Sequence, residues 1–95
     1  MAMILNDELH QLFLQTLPEV LDELLQAYQE KNWPQLEFLT HRLHGGLCYL
    51  NLPELKNSAK QLDALLRQPD FSVTDVQRLA ESLFAQLQEH LTVYS

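Results

Sequence analysis

Residues 36–50 read LEFLTHRLHGGLCYL. Leu36, Leu39, Leu43, Leu47 and Leu50 step by three or four, the spacing that puts apolar side chains on one stripe of a helix. Gly45 and Gly46 interrupt the middle of that stripe, where each glycine costs about 1 kcal/mol relative to alanine. Two histidines, His41 and His44, precede them. A helix this regular that carries two weakening residues beside two imidazoles has a use for them other than its own stability.

Working outward, the same leucine rhythm recurs on both sides. Leu9, Leu12, Phe13 and Leu17 form a first amphipathic stretch behind Asn6, which reads as its N-cap. At Thr16-Leu17-Pro18-Glu19 a capping-box pattern coincides with a proline suited to a first turn, so a break or kink is expected there. Val20, Leu21, Leu24, Leu25 and Tyr28 then continue to about Gln29. EKNWPQ (residues 30–35) reads as a turn, with Pro34 opening the helix that holds the quoted stretch. Asn51 is expected to end that helix in the left-handed conformation, and Pro53 to open the next. Leu55, Ala59, Leu62 and Leu66 are its buried stripe, and Gln68-Pro69-Asp70 closes it. Phe71 to Val76 has the form of a hydrophobic staple around a capping box. The last helix, to about Thr92, carries Val76, Leu79, Ala80, Leu83, Leu87 and Leu91. The expectation is an all-α, up-down antiparallel four-helix bundle whose N-terminal helix is shorter or kinked, a single domain over residues 1–95. Residues 1–5, MAMIL, read as a natural start or a cloning remnant, and as a stretch open to disorder.

Composition narrows the function. Hydrophobic residues make up 46% of 95, enough for one modest core. The net charge of −7, from 13 acidic against 6 basic residues, repels phosphate backbones and anionic lipid, so neither nucleic acid nor membrane is an expected partner. No apolar run approaches the ~20 residues of a membrane span and no leader pattern opens the chain. A solitary cysteine, Cys48, fits a reducing cytoplasm. There is no nucleophile elbow and no phosphate-cradling glycine loop, so ATP-dependent chemistry is not expected of the chain itself.

At 100° per residue His41 stands away from the leucine stripe, with Glu37 and Gly45 one turn to either side, Cys48 further along and His44 about 60° around. Gly46 points to the bundle on this reading and is expected to be a close helix–helix contact. Gly45 lies outward, directly above His41, with no packing reason to be glycine; it marks a place where something approaches the backbone. His41 then centres a docking surface that includes Glu37, Phe38, Gly45 and Cys48. The rival readings are a helical interaction module that is never phosphorylated and a metal-binding bundle using His41, His44 and Cys48, with His10 or His90 folded close as a fourth ligand.

The run Thr40-His41-Arg42-Leu43-His44-Gly45-Gly46, followed by Leu52-x-x-Leu55-x-x-x-Ala59-x-x-Leu62-Asp63, resembles the histidine phosphotransfer (HPt) domain. The likeness covers nearly the whole chain. The HxLHG form followed by cysteine looks most like the C-terminal phosphotransfer domain of BarA/GacS-type hybrid sensor kinases. The resemblance implies a four-helix phosphocarrier of a multistep two-component phosphorelay, with no kinase activity of its own. It implies that His41 is phosphorylated on Nε2, receiving the group from the receiver domain of a hybrid sensor kinase and passing it to a response-regulator aspartate. His44 stands where the family usually has lysine, so its charge depends on pH. His44, Arg42, Lys56 and Lys60 are the expected cations around the phosphoryl group. No acidic cluster is legible beside His41, so no intrinsic cofactor is expected and Mg²⁺ is expected on the partner receiver. The acidic surface and the single-histidine docking face favour a monomer, located in the cytoplasm either free or as the tail of a membrane-bound kinase.

Overall fold

A computed structural model describes residues 2–94, with side chains described from Glu8 to Tyr94. It contains four helices: α1 (Ala2–Gln29), α2 (Trp33–Leu47), α3 (Pro53–Leu66) and α4 (Val73–Tyr94). α1 packs on α2 and α4, and α3 packs on α2 and α4, so the helices close a ring. Pairs run in opposite order along two seams, with His10 against His90 and Tyr28 against Glu81 between α1 and α4, and Glu37 against Arg67 and His41 against Asp63 between α2 and α3. Arg42 meets Glu23 between α1 and α2, and Ser58 meets Gln86 between α3 and α4. Neighbours are therefore antiparallel, and the body is an elongated up-down bundle of 45 × 20 × 18 Å.

The leucine stripes are its core. Leu17, Leu24, Leu36, Leu47, Leu62, Leu83 and Leu87 are fully buried, each stabilising the fold by about 1.5–3 kcal/mol relative to exposure. Asn32 caps α2 by accepting from the Gln35 amide at 3.3 Å, ahead of Pro34 in its first turn. Pro53 likewise opens α3. Ser72 accepts from the Asp75 amide at 3.4 Å at the start of α4, and Phe71 packs against Trp33 and the core.

Four local expectations are corrected. The break at Pro18 is absent: α1 is a single helix of 28 residues, the longest of the described elements. Buried Leu17, Leu21 and Leu24 continue the stripe across the proline, and that packing outweighs the ~3 kcal/mol interior penalty. Asn6 lies inside α1, which begins at Ala2, so it is no N-cap. Asn51 is not left-handed. The one non-glycine residue with positive φ among those described is Lys31, at 56°, which ends α1. α2 instead tightens after Leu47, with Tyr49 and Leu50 bonding back to Gly46 and Leu47. Gly46, finally, is exposed, and a Cβ built there meets nothing within 4 Å. It lies beside a shallow depression lined by Leu12, Phe13 and Tyr49 rather than in a helix contact. Whether residues 1–5 belong to the packed body lies outside the described side chains.

Candidate functional site around His41

α2 is pinned to the core by Leu36, Leu39, Leu43 and Leu47, and the opposite face of that helix presents His41 with its side chain 58% exposed. The ring is held from α3. Its Nδ1 lies 3.0 Å from Asp63 Oδ2 and 2.7 Å from Arg67 Nη2. Asp63 is itself buried at the seam, and its Oδ1 accepts from Arg67 Nε at 3.3 Å. Glu37, one turn before His41, places Oε1 3.5 Å from the same Arg67 Nε. Glu37, His41, Asp63 and Arg67 thus form one network across the α2–α3 seam. Every contact it makes to the imidazole is at Nδ1, which leaves Nε2 as the ring nitrogen without a partner among the described residues.

The other residues read from the sequence are distributed around this network. Gly45 is exposed, with open space where a Cβ would stand. Cys48 caps α2 and is exposed, and Phe38 is 55% exposed. Arg42 is turned away from the ring toward α1: its Nη2 is 3.5 Å from Glu23 and its guanidinium lies over the Phe38 ring, 5.8 Å from the centroid. His44 is half-buried, and its Nε2 is enclosed without a hydrogen-bond partner, so that nitrogen does not face His41's open side. The antiparallel register set by His41–Asp63 and Glu37–Arg67 puts Lys60 level with His44 and Lys56 level with Cys48. Both lysines are exposed, and among the described residues neither makes an ion pair.

Three findings amend the sequence reading. Acidic groups do stand beside His41, namely Asp63 and Glu37, both tied to Arg67. Arg67 carries little signal in the sequence because it falls in a turn just past the α3 stripe; its cue is its place four residues after Asp63. The rival metal centre is not assembled, since among the described residues no group of three or more His, Cys, Asp or Glu is placed to hold an ion.

A family model for the Hpt domain matches residues 8–93. The chain belongs to the Hpt family. No curated protein and no solved structure matches it. As an Hpt domain it is a histidine phosphocarrier of phosphorelays without kinase activity, and it works with receiver and response-regulator partners. Among the described residues no helix of this Hpt domain is long and apolar enough to cross a membrane.

Among the described residues two titrations are displaced by the fold, both away from His41. Burial, then the hydrogen bond and charge of Glu81, push the Tyr28 hydroxyl up. Burial, then the proximity of His10, push the His90 imidazole down. His90 sits in a ring cluster with His10, Phe13 and Tyr94, and its Nε2 is 2.9 Å from that of His10.

Proposed function

We propose that this Hpt domain carries the phosphoryl group on Nε2 of His41, taking it from the receiver domain of a hybrid sensor kinase and passing it to a response-regulator aspartate. The observation that carries this reading is the asymmetry of the ring, with Nδ1 held by Asp63 at 3.0 Å while the side chain stays 58% exposed. A proton on Nδ1 donated to Asp63 leaves the Nε2 lone pair free to attack. As the N–P bond forms, the ring gains positive charge and the Asp63 carboxylate stabilises it, the role of an orienting acid beside a histidine. Catalysis beyond that is positioning: a donor aspartyl phosphate and Nε2 must lie in line, which suits a ring held by two packed helices.

Phe38, Gly45, Cys48 and Glu37 border the approach to Nε2 and form the proposed docking face, with Gly45 leaving clearance for the partner's loops. Lys56 and Lys60 are the mobile cations available to a phosphoryl group of charge about −2. Arg42 reaches it only by leaving Glu23, and His44 has only Nδ1 to offer it, its Nε2 being enclosed. Mg²⁺ belongs on the receiver in this reading, since the carboxylates near His41 are already engaged by Arg67. The working form is a monomer in the cytoplasm, either free or as the C-terminal tail of a BarA/GacS-type kinase.

The test is to incubate the domain with a phosphorylated receiver and follow acid-labile, base-stable label. Label is expected on the wild type and absent from His41→Gln. Label that persists in His41→Gln sinks the site, and no transfer from any receiver tested favours a helical interaction module.

A further inference from the structure

Two groups contact one nitrogen of His41, and their chemistry is incompatible. Asp63 Oδ2, at 3.0 Å from Nδ1, only accepts and so needs a proton there. Arg67 Nη2, at 2.7 Å, only donates and so needs a lone pair there. A neutral imidazole carries a single N–H, so the two contacts belong to two tautomers. With Nδ1–H on Asp63, Nε2 holds the lone pair and is nucleophilic. With Arg67 donating to Nδ1, the proton is on Nε2 and attack is shut off. Glu37 at 3.5 Å and Asp63 Oδ1 at 3.3 Å hold the guanidinium in reach of the ring.

Resting on the phosphocarrier reading above, we infer that Arg67 is a positioning residue that sets the tautomer of His41 and latches the phosphorylated ring. In the inbound step the Nε2 lone pair forms the N–P bond while the P–O bond of the donor aspartyl phosphate breaks, its electron pair leaving on the carboxylate. The ring is then a cation with Nδ1–H on Asp63. Loss of that proton to water gives a neutral phosphoimidazole whose Nδ1 lone pair accepts from Arg67. In the outbound step Nδ1 must regain a proton, so that when the N–P bond breaks toward Nε2 the ring leaves as neutral imidazole and not as an anion. Arg67 on Nδ1 opposes that reprotonation. Asp63 therefore serves transfer, and Arg67 serves storage.

The test compares wild type with Arg67→Met, which keeps length and removes the donors, and Arg67→Lys, which restores a donor. Arg67 caps the end of α3 and is half-exposed, and circular dichroism checks that each variant is folded. The first readout is the ¹⁵N spectrum of histidine-labelled protein at about pH 8.5, where an ordinary imidazole is neutral. Arg67→Met is expected to move the tautomer ratio about tenfold toward Nδ1–H, the scale of one charge-assisted hydrogen bond, and Arg67→Lys to stay near wild type. The second is the lifetime of the phosphohistidine after labelling with ammonium phosphoramidate, expected to fall about tenfold in Arg67→Met alone. An unchanged tautomer ratio in Arg67→Met overturns the inference whatever the label does. A changed ratio with an unchanged lifetime overturns the storage half. No label on wild-type His41 together with a changed ratio overturns the phosphocarrier reading while upholding the control of the tautomer.

Discussion

Asp63→Ala is the most informative single change at this site. It removes the acceptor for a proton on His41 Nδ1, 3.0 Å away, and also the Oδ1 contact that helps hold Arg67 beside the ring. A hydrogen bond to a charged group contributes about 1.5–3 kcal/mol net. The carboxylate is only 11% exposed, which strengthens the pair, while the imidazole is 58% exposed, which lets water compete. The lower part of that range applies, about 2 kcal/mol, or roughly a 30-fold slower attack by Nε2. Asp63→Asn keeps a neutral acceptor, contributing about 1 kcal/mol, and is expected to lose only about fivefold. Single-turnover labelling with ammonium phosphoramidate measures this without any partner, and labelling from a phosphorylated receiver is expected to fall by the same factor. Asp63→Ala labelled at the wild-type rate from both donors would show that the Nδ1 contact gives no help to Nε2, and the reasoning would fail.

The glycines separate stability from recognition. With open space at each Cβ position and no positive φ, Gly45→Ala and Gly46→Ala are each expected to stabilise the bundle by about 1 kcal/mol, a rise of roughly 4–8 °C in melting temperature. Gly45→Leu is expected to slow transfer from a receiver and leave phosphoramidate labelling unchanged; equal rates from the receiver would remove the clearance argument. Thr40 is fully buried with a hydroxyl that finds no partner among the described residues, so Thr40→Val is expected to stabilise by about 1 kcal/mol, and a lower denaturation midpoint would refute it. Because the His90 imidazole is pushed below its ordinary 6.5, the unfolded chain binds more protons there than the folded one. The contribution of His90 to stability is therefore fully present above about pH 6.5 and is lost as pH falls through the lower, folded value. Denaturation midpoints across that window should slope less in His90→Phe, and an unchanged slope would refute the assignment.

The bundle was legible because its signal is periodic and local: each leucine stripe needs only its own helix to be seen. Punctuation was legible where prolines open helices, at Pro34 and Pro53, and misread where the same residue type lies within one, at Pro18. No local pattern separates those cases, because what carries α1 through Pro18 is burial of Leu17, Leu21 and Leu24 against other helices. Gly46 failed for a related reason. Angle around α2 predicts which way a residue points, but not whether a neighbouring helix comes close enough to fill the space. The outward placement of His41 and Gly45 is legible from angle around one helix, and both are exposed. Arg67 could not be found that way, because its meaning depends on the α2–α3 register that brings it to a histidine 26 residues earlier.

That division of the site has a consequence for any set of variants. The Nδ1 side of His41 is settled within the chain, by Asp63 and Arg67 on or at the end of α3, with Glu37 holding the arginine. On the docking face proposed above, the Nε2 side is left to a partner that approaches past Phe38, Gly45 and Cys48 on α2. Substitutions at residues 63 and 67 act on the reactivity of the ring itself, so they change labelling by a small phosphodonor and by a receiver alike. Substitutions at residues 38, 45 and 48 act on approach, so they change only the receiver reaction. A variant at Phe38 or Cys48 that slowed both reactions equally would mean that the α2 face supports the ring as well as the partner. The separation of reactivity from docking along the α2–α3 seam would then be wrong.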